Sequence, residues 1–331
     1  PGYVQRLLAK YNHLKLKKAQ YSPYPVQPRK YGKAAQEPMP ADDTPPATKE
    51  EQRLVQQVVG SIIYYAKGVD LTALTGLSTL ASEQTKATGR TVKNMGQMLD
   101  YLATNPDTTL RYYASDMILN IHSDASYLSE RNGRSRASGH YFMGWMPAAN
   151  EPIKLNGTVH TLCTILKFVA ASAAEAELGA LFLNIKQGRI MRLTLEEMGH
   201  PQPPTPINVD NSTAVGIVNG TVKRQRSRSM EMHYFYSCDQ VKRKQFDVQY
   251  HPGQENLGDY PSKHHEAKHH RDVQPIYLHM QNSLRTLARA MTPSSLRRCV
   301  GNLPKGSTCL LYTSDAADEG LGVDLGGRRI I

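Results

Sequence analysis

Beyond Thr108 the chain alternates between two hydrophobic periodicities, and no other feature restricts its fold as much. Met117 to Ser123, Gly139 to Trp145 and Thr158 to Phe168 are apolar and β-branched enough to be strands, the first two joined by a Gly/Ser/Arg turn. From Ser172 an Ala-rich helix continues towards Met198, where Gly199 stops it. After the Pro-rich turn Pro201 to Pro206 come a strand, Ile207 to Val209, a short helix from Ser212 and a longer one from Met230 to Lys244. A strand from Phe246 to Tyr250 and a last helix from around Glu255, carrying Asp259, complete the series. The order β-β-β-α-β-α-β-α predicts an α/β layer fold with helices covering a central mixed sheet.

Upstream the texture differs. The first fifty residues are rich in Pro, Lys, Gln and Tyr, show neither periodicity, and are expected to form an extended or disordered connector. From Lys49 apolar residues recur at helical spacing: Leu54, Val55, Val58, Val59, Ile62, Ile63 and Tyr64 open a helix that Gly68 closes. Leu71 to Ala81 and Thr91 to Ala103 add two more, so this stretch is expected to be a small helical unit.

At 331 residues the chain has room for about two domains. Forty Lys and Arg against 29 Asp and Glu leave a net charge of +11, which favours a polyanionic partner such as nucleic acid. Mean hydropathy is -0.50, and no apolar run approaches the roughly 18 residues of a spanning helix, so no membrane partner is expected. The four cysteines lack CxxC spacing, which predicts a reducing compartment and no disulfide partner. An opening Pro1 in place of Met suggests a fragment of a longer product.

Two of the strands end on a carboxylate, in Ile121-His122-Ser123-Asp124 and in Ile207-Asn208-Val209-Asp210, and ligands of open α/β sheets collect at strand ends. Glu175 and Glu177 open the following helix, and Asp259 lies near the start of the last one. Singly, the aspartates are equally well explained as turn residues and the glutamates as helix N-terminal charges. The run Lys223-Arg224-Gln225-Arg226-Ser227-Arg228 precedes His233, Tyr234, Phe235 and Tyr236, pairing cations suited to phosphate with aromatics that fit a core stripe better than a stacking surface. His264, His265, His269 and His270 have no cysteine pair or fixed ligand spacing, so a polar tail is the better explanation than structural zinc.

The strings Ser123-Asp124-Ala125-Ser126-Tyr127, Ala171 through Leu181, Val209-Asp210-Asn211-Ser212-Thr213-Ala214 and Asn256-Leu257-Gly258-Asp259-Tyr260-Pro261-Ser262-Lys263, in that order, resemble the ribonuclease H domain of copia-type (Pseudoviridae) LTR-retrotransposon polyproteins. The helical unit, including Leu54 to Tyr65, resembles the segment that ends the reverse transcriptase in the same polyproteins, so that the likeness covers about 50–279. The resemblance implies a ribonuclease H-like mixed five-stranded sheet and hydrolysis of the RNA strand of RNA:DNA hybrids during reverse transcription. It implies a D-E-D-D carboxylate set on Asp124, Glu177, Asp210 and Asp259, with Glu175 as the alternate glutamate. Glu177 is preferred because Leu178 and Ala180 supply the apolar residue and the alanine that follow the family's glutamate.

The set would hold two Mg²⁺ ions, replaceable by Mn²⁺, about 4 Å apart across the scissile phosphate. His251 stands where some cellular relatives carry a mobile histidine, which implies proton shuttling or product release. Lys223, Arg224, Arg226, Arg228, Asn211 and Ser212 would lie on the nucleic-acid side. The partners implied are the hybrid and the rest of the Pol polyprotein, in the cytoplasm within a retrotransposon particle or in the nucleus. Departures are the missing Tyr-x-Asp-Asp polymerase motif and Pro261, tolerable only in a first helical turn. The expected division is 1–49 connector, 50–108 reverse-transcriptase remnant, 109–272 ribonuclease H-like, 273–308 extension and 309–331 adapter-derived tail. The rivals are an inactive nucleic-acid-binding domain of the same fold and a DNA-cutting enzyme built on it.

Overall fold

The computed structural model describes residues 2–13, 18–26, 42–146, 154–222, 231–279 and 308–309. Three long helices build the upstream unit: α2 (Lys49–Gly68), α3 (Leu74–Glu83) and α4 (Gly89–Thr104). A reciprocal capping box starts α2, with Thr48 accepting from the Glu51 backbone and Glu51 reaching back to the Thr48 backbone. Val55, Val58, Val59, Ile62 and Ala66 fall on one face of α2 and are buried against α3 and α4.

The connector expected over 1–49 needs correction. Tyr3–Lys10 forms a helix, α1, whose Val4, Leu7 and Leu8 are buried in the same core. Three apolar residues at i, i+3 and i+4 suffice for a two-turn helix when a ready-made apolar surface receives them. Tyr24 is buried there too: a Cβ on Gly76 of α3 would stand 2.9 Å from the Tyr24 Cβ.

The sheet follows. After the two-residue strand β1 (Tyr112–Tyr113) come β2 (Ile118–Ser126), β3 (Arg136–Gly144), β4 (Thr158–Ile165), β5 (Thr205–Val209) and β6 (Phe246–Tyr250). Their order is β4-β3-β2-β5-β6. The hairpin partners β2-β3 and β3-β4 run antiparallel, whereas β5 pairs parallel to both β2 and β6, as the intervening helices require. Those helices are α5 (Ala173–Glu197), α6 (Ser212–Val218) and α7 (Glu231–Lys242). Leu181 and Ile185 of α5 pack on Leu119, Ile121 and Ile207 in one core. Gly188 allows a close approach of α5, since a Cβ there would be 2.7 Å from Ile121 and 3.1 Å from Phe246.

The helical unit is packed against the sheet rather than strung before it. Arg136 of β3, wholly buried, is ion-paired to Glu130 at 2.8 Å and donates to Thr79 Oγ1 of α3 at 2.8 Å. Leu257, Tyr260, Tyr277 and Leu278 from the chain's far end enter the core of the helical unit. The last helix is also divided: Gly253–Glu255 is a single 3-10 turn, α8 is only Asp259–Ser262, and α9 spans Ala267–Tyr277. Pro261 sits in the first turn of α8, where its missing N–H costs nothing, and its carbonyl accepts from Thr75 Oγ1 at 3.0 Å. The expected basic run 223–228 lies outside the described residues, as does the expected tail except for Cys309, which with Thr308 pairs antiparallel to β1. No described helix is long and apolar enough to cross a membrane.

Candidate active site

Parallel pairing of β2 with β5 places Ser123 opposite Val209, so the next residue on each strand, Asp124 and Asp210, stand side by side. Asp124 is not the last residue of its strand, as the sequence reading expected. It lies two residues inside β2, opposite Ser138 of β3, and is buried, while Asp210 follows β5 and is half-buried. Strand alternation turns Asp124 away from α5 and towards the same face as His122.

Glu177, one turn into α5, reaches over the end of β2 and accepts from the Ala125 backbone at 3.1 Å. One carboxylate oxygen each from Asp124, Glu177 and Asp210 then lie within 4.8 Å of one another. This is the arrangement a single divalent cation needs, and the oxygens are the hard ligands that Mg²⁺ and Mn²⁺ prefer. Among the described residues, Asp124 Oδ2 and Glu177 Oε2 are buried with no hydrogen-bond partner, a cost that a bound cation would remove. The residues therefore fit a metal.

Electrostatics say the same. Burial, reinforced by Asp259 and Asp210 and opposed by Lys263, pushes Asp124 up to about 6. Burial and the charges of Asp124 and Asp210 raise Glu177 well above the usual carboxylate range. Asp210 is raised as well, by burial and then by Asp259. Without a cation these groups cannot all be ionised cheaply.

The other expected residues are placed differently. Glu175 is two residues away and serves the start of α5: its Oε2 accepts from the Ala171 backbone at 2.6 Å while its own N–H donates to the capping Ser172 hydroxyl at 3.2 Å. Asp259 is outside the three-carboxylate group and is ion-paired with Lys263. His251 follows β6, with its backbone N–H donating to Val209 at 2.9 Å. Its Nε2 is 3.3 Å from Glu255, and burial holds its pKa below the ordinary imidazole value with Glu255 opposing. Asn211 uses its side-chain oxygen to cap α6 at Ala214, and Ser212 opens that helix exposed to solvent. Lys223, Arg224, Arg226 and Arg228 lie outside the described residues. The histidine tract packs as aromatics, with His265 stacked on Tyr260 and His270 bonded to its hydroxyl, and among the described residues the only metal-type cluster is the carboxylate one.

Sequence reasoning missed the residues that fasten the last motif to the sheet. Asn256 Nδ2 donates to the Ser123 carbonyl at 2.9 Å, the Leu257 N–H donates to His122 Nδ1 at 3.0 Å, and the Ser138 hydroxyl donates to the Gly258 carbonyl. The available signal was a run of polar residues in strands otherwise apolar, Asn120, His122 and Ser138. Two glycines are required by close approach: a Cβ on Gly253 would stand 2.7 Å from Asp210 Oδ2, and one on Gly258 would stand 3.0 Å from the Asp124 backbone nitrogen.

No protein-family model and no curated protein matches the sequence. Among solved structures, the chain is similar to the N-terminal RNase H domain of a Mycobacterium tuberculosis protein, at 14% identity and a TM-score of 0.31, over 44% of this chain and 91% of that one. It is similar to LC11-RNase H1 in complex with an RNA/DNA hybrid, at 11% identity and a TM-score of 0.31, over 42% and 88%. It is also similar to the protease-reverse transcriptase of Prototype Foamy Virus, at 12% identity and a TM-score of 0.27, over 44% of this chain and 20% of that one. The five-stranded mixed sheet with its flanking helices is an α/β layer fold, as the sequence predicts.

Proposed function

We propose that this chain is a metal-dependent endonuclease that hydrolyses the RNA strand of RNA:DNA hybrids, as the ribonuclease H part of a copia-type retrotransposon polyprotein whose reverse transcriptase ends in the helical unit. The observation that carries the reading is the convergence of Asp124, Glu177 and Asp210, with two buried oxygens left unpartnered. Asp124, Glu177 and Asp210 would hold Mg²⁺, or Mn²⁺ in its place, which when bound polarises the scissile phosphate and makes water a better nucleophile at neutral pH. The chain's own residues do the rest. Glu177, fixed by the Ala125 N–H, holds the side of the group nearest α5, and Asp210, half-exposed, keeps one edge open to the backbone of a bound duplex. Asp259 has its charge met by Lys263. His251 stands beside Glu255 at the rim, where a neutral imidazole is available to accept a proton. The cations of 223–228 and the net charge of +11 supply phosphate contacts, and the row of 2′-hydroxyls in the minor groove identifies the RNA strand.

The test is cleavage of an end-labelled RNA:DNA hybrid by the full chain with Mg²⁺, beside Asp124→Asn and a double-stranded DNA control. Hybrid-only cutting that the substitution abolishes is the expected result. Hybrid binding without cutting, unchanged by Asp124→Asn, would instead identify an inactive nucleic-acid-binding domain, and cutting of the DNA duplex would identify a DNA nuclease.

A further inference from the structure

In the middle of α5 a polar side chain is wholly buried against the sheet, away from the carboxylates. It is Asn184, two helical turns beyond Glu177 on the same face and about 10 Å further along the helix. Its amide nitrogen donates to Ser123 Oγ of β2 at 2.8 Å and to the Ser138 carbonyl of β3 at 2.8 Å, and its oxygen accepts from the Tyr141 hydroxyl of β3 at 2.6 Å. The Ser138 carbonyl can only accept, which fixes the orientation of the amide, and both of its N–H groups and its oxygen are used. Ser123, Ser138 and Tyr141 are wholly buried as well. Between Ser138 and Tyr141 the strand makes room for the amide with a glycine: a Cβ on Gly139 would stand 1.8 Å from Asn184 Oδ1.

Apolar packing is non-directional, so the contacts of Leu181 and Ile185 hold α5 on the sheet without fixing how far along it the helix lies. Hydrogen bonds to two strands do fix it, because they weaken steeply once distance and angle depart from their preferred values. Asp124 and Asp210 stand side by side through strand register, whereas Glu177 is carried into the group by α5. Its own tie to β2 is the bond from the Ala125 N–H at 3.1 Å. Arg192 links the far part of α5 to Thr205 Oγ1 of β5 at 2.8 Å. Asn184 lies between these two links, and its bond to Ser123 falls on the residue directly before Asp124.

Resting on the hydrolase reading above, we propose that Asn184 is a positioning residue for the metal group: by tying α5 to Ser123, Ser138 and Tyr141 it sets where the Glu177 carboxylate stands relative to Asp124 and Asp210. Its effect on metal binding therefore runs through Glu177 and vanishes when that carboxylate is gone.

The experiment measures Mn²⁺ affinity of the full chain by electron paramagnetic resonance in a double-mutant cycle of wild type, Asn184→Leu, Glu177→Gln and the two combined, with thermal melting to verify folding. Asn184→Leu should weaken Mn²⁺ binding by a factor of about 10 or more, as removal of a group that orients a ligand does, and should weaken it no further once residue 177 has lost its charge. Hybrid cleavage by Asn184→Leu should lose kcat with KM unchanged. Where Asn184→Leu does not fold, Tyr141→Phe takes its place in the cycle, since it removes one of the three bonds without altering α5, and a smaller loss that again disappears with Glu177→Gln is expected. Unchanged Mn²⁺ affinity in the folded variant, or an equal loss with and without the Glu177 carboxylate, would overturn the positioning role while leaving the hydrolase reading intact. A wild type that binds no Mn²⁺ and cuts no hybrid would instead overturn the hydrolase reading and the positioning role with it.

Discussion

In the absence of metal, replacing the central carboxylate should make this protein more stable while removing its activity. Asp124 is buried between β3 and β5, its Oδ2 has no partner, and its pKa is raised from 3.8 to about 6. Keeping it ionised at neutral pH therefore costs the folded state about 3 kcal/mol. Asp124→Asn removes that charge at almost constant volume but buries an amide N–H₂. With Glu177 and Asp210 as acceptors nearby, the loss should stay near the low end of about 1–3 kcal/mol for an imperfectly satisfied group. The net gain is about 1–2 kcal/mol, or a rise in Tm of about 1–3 °C for a chain of this size.

The sign with pH follows from the raised value. Between about 4 and 6 the folded state still holds a proton that the unfolded chain has lost, so wild-type stability falls as pH rises through that window and the full penalty is present above it. The variant lacks this slope. Melting both proteins in EDTA at pH 7.5 and at pH 4 should show a gap at the higher pH that closes at the lower one, and Mg²⁺ at pH 7.5 should restore the wild type alone. A wild type that melts above Asp124→Asn in EDTA at pH 7.5, or a gap of equal size at both values, would refute the reasoning.

Other outcomes follow from the same contacts. Glu177→Gln should reduce hybrid cleavage by a factor of about 100 or more, because it removes a charged oxygen from a three-ligand set. Glu175→Ala should leave cleavage near the wild-type rate and cost about 1 kcal/mol in urea unfolding, because it removes the Ala171 contact at the start of α5. Gly258→Ala carries no backbone penalty at φ -69, but its Cβ would lie 3.1 Å from the Asp124 Cβ. Overpacking by about 1–3 kcal/mol should displace α8 and lower the cleavage rate more than hybrid affinity, measured by single-turnover cleavage beside fluorescence anisotropy. Arg136→Met removes the ion pair with Glu130 and the guanidinium donor to Thr79, and should destabilise the fold by about 3–5 kcal/mol by urea titration.

Periodicity alone determined that the segments from Lys49 to Tyr250 named in the sequence analysis are strands or helices, because each such choice depends on residues within a few positions of one another. The Ala-rich stretch after Ser172 became α5, Gly199 ended it with a positive φ of 87, and the Ile207 to Val209 run became the core of β5. The residue types of the acidic set were legible too, since only aspartate and glutamate supply hard anionic ligands at strand ends. Which of them meet was legible only through the resemblance and not from periodicity or spacing, because that depends on pairing between segments far apart in the chain. Asp124 and Asp210 are neighbours only through the parallel register of Ser123 with Val209. Glu175 and Glu177 are chemically alike, but two residues on a helix differ by about 200° in direction, so one faces the cap and the other the sheet. Likewise α1 has too few apolar residues to announce itself inside a Pro- and Lys-rich stretch, and forms against a surface made by α2 and α4. Asp259 was legible as a fourth acid, but Lys263 takes its charge, and only the packing of α8 between β2 and α3 decides that the two stand together beside Asp124.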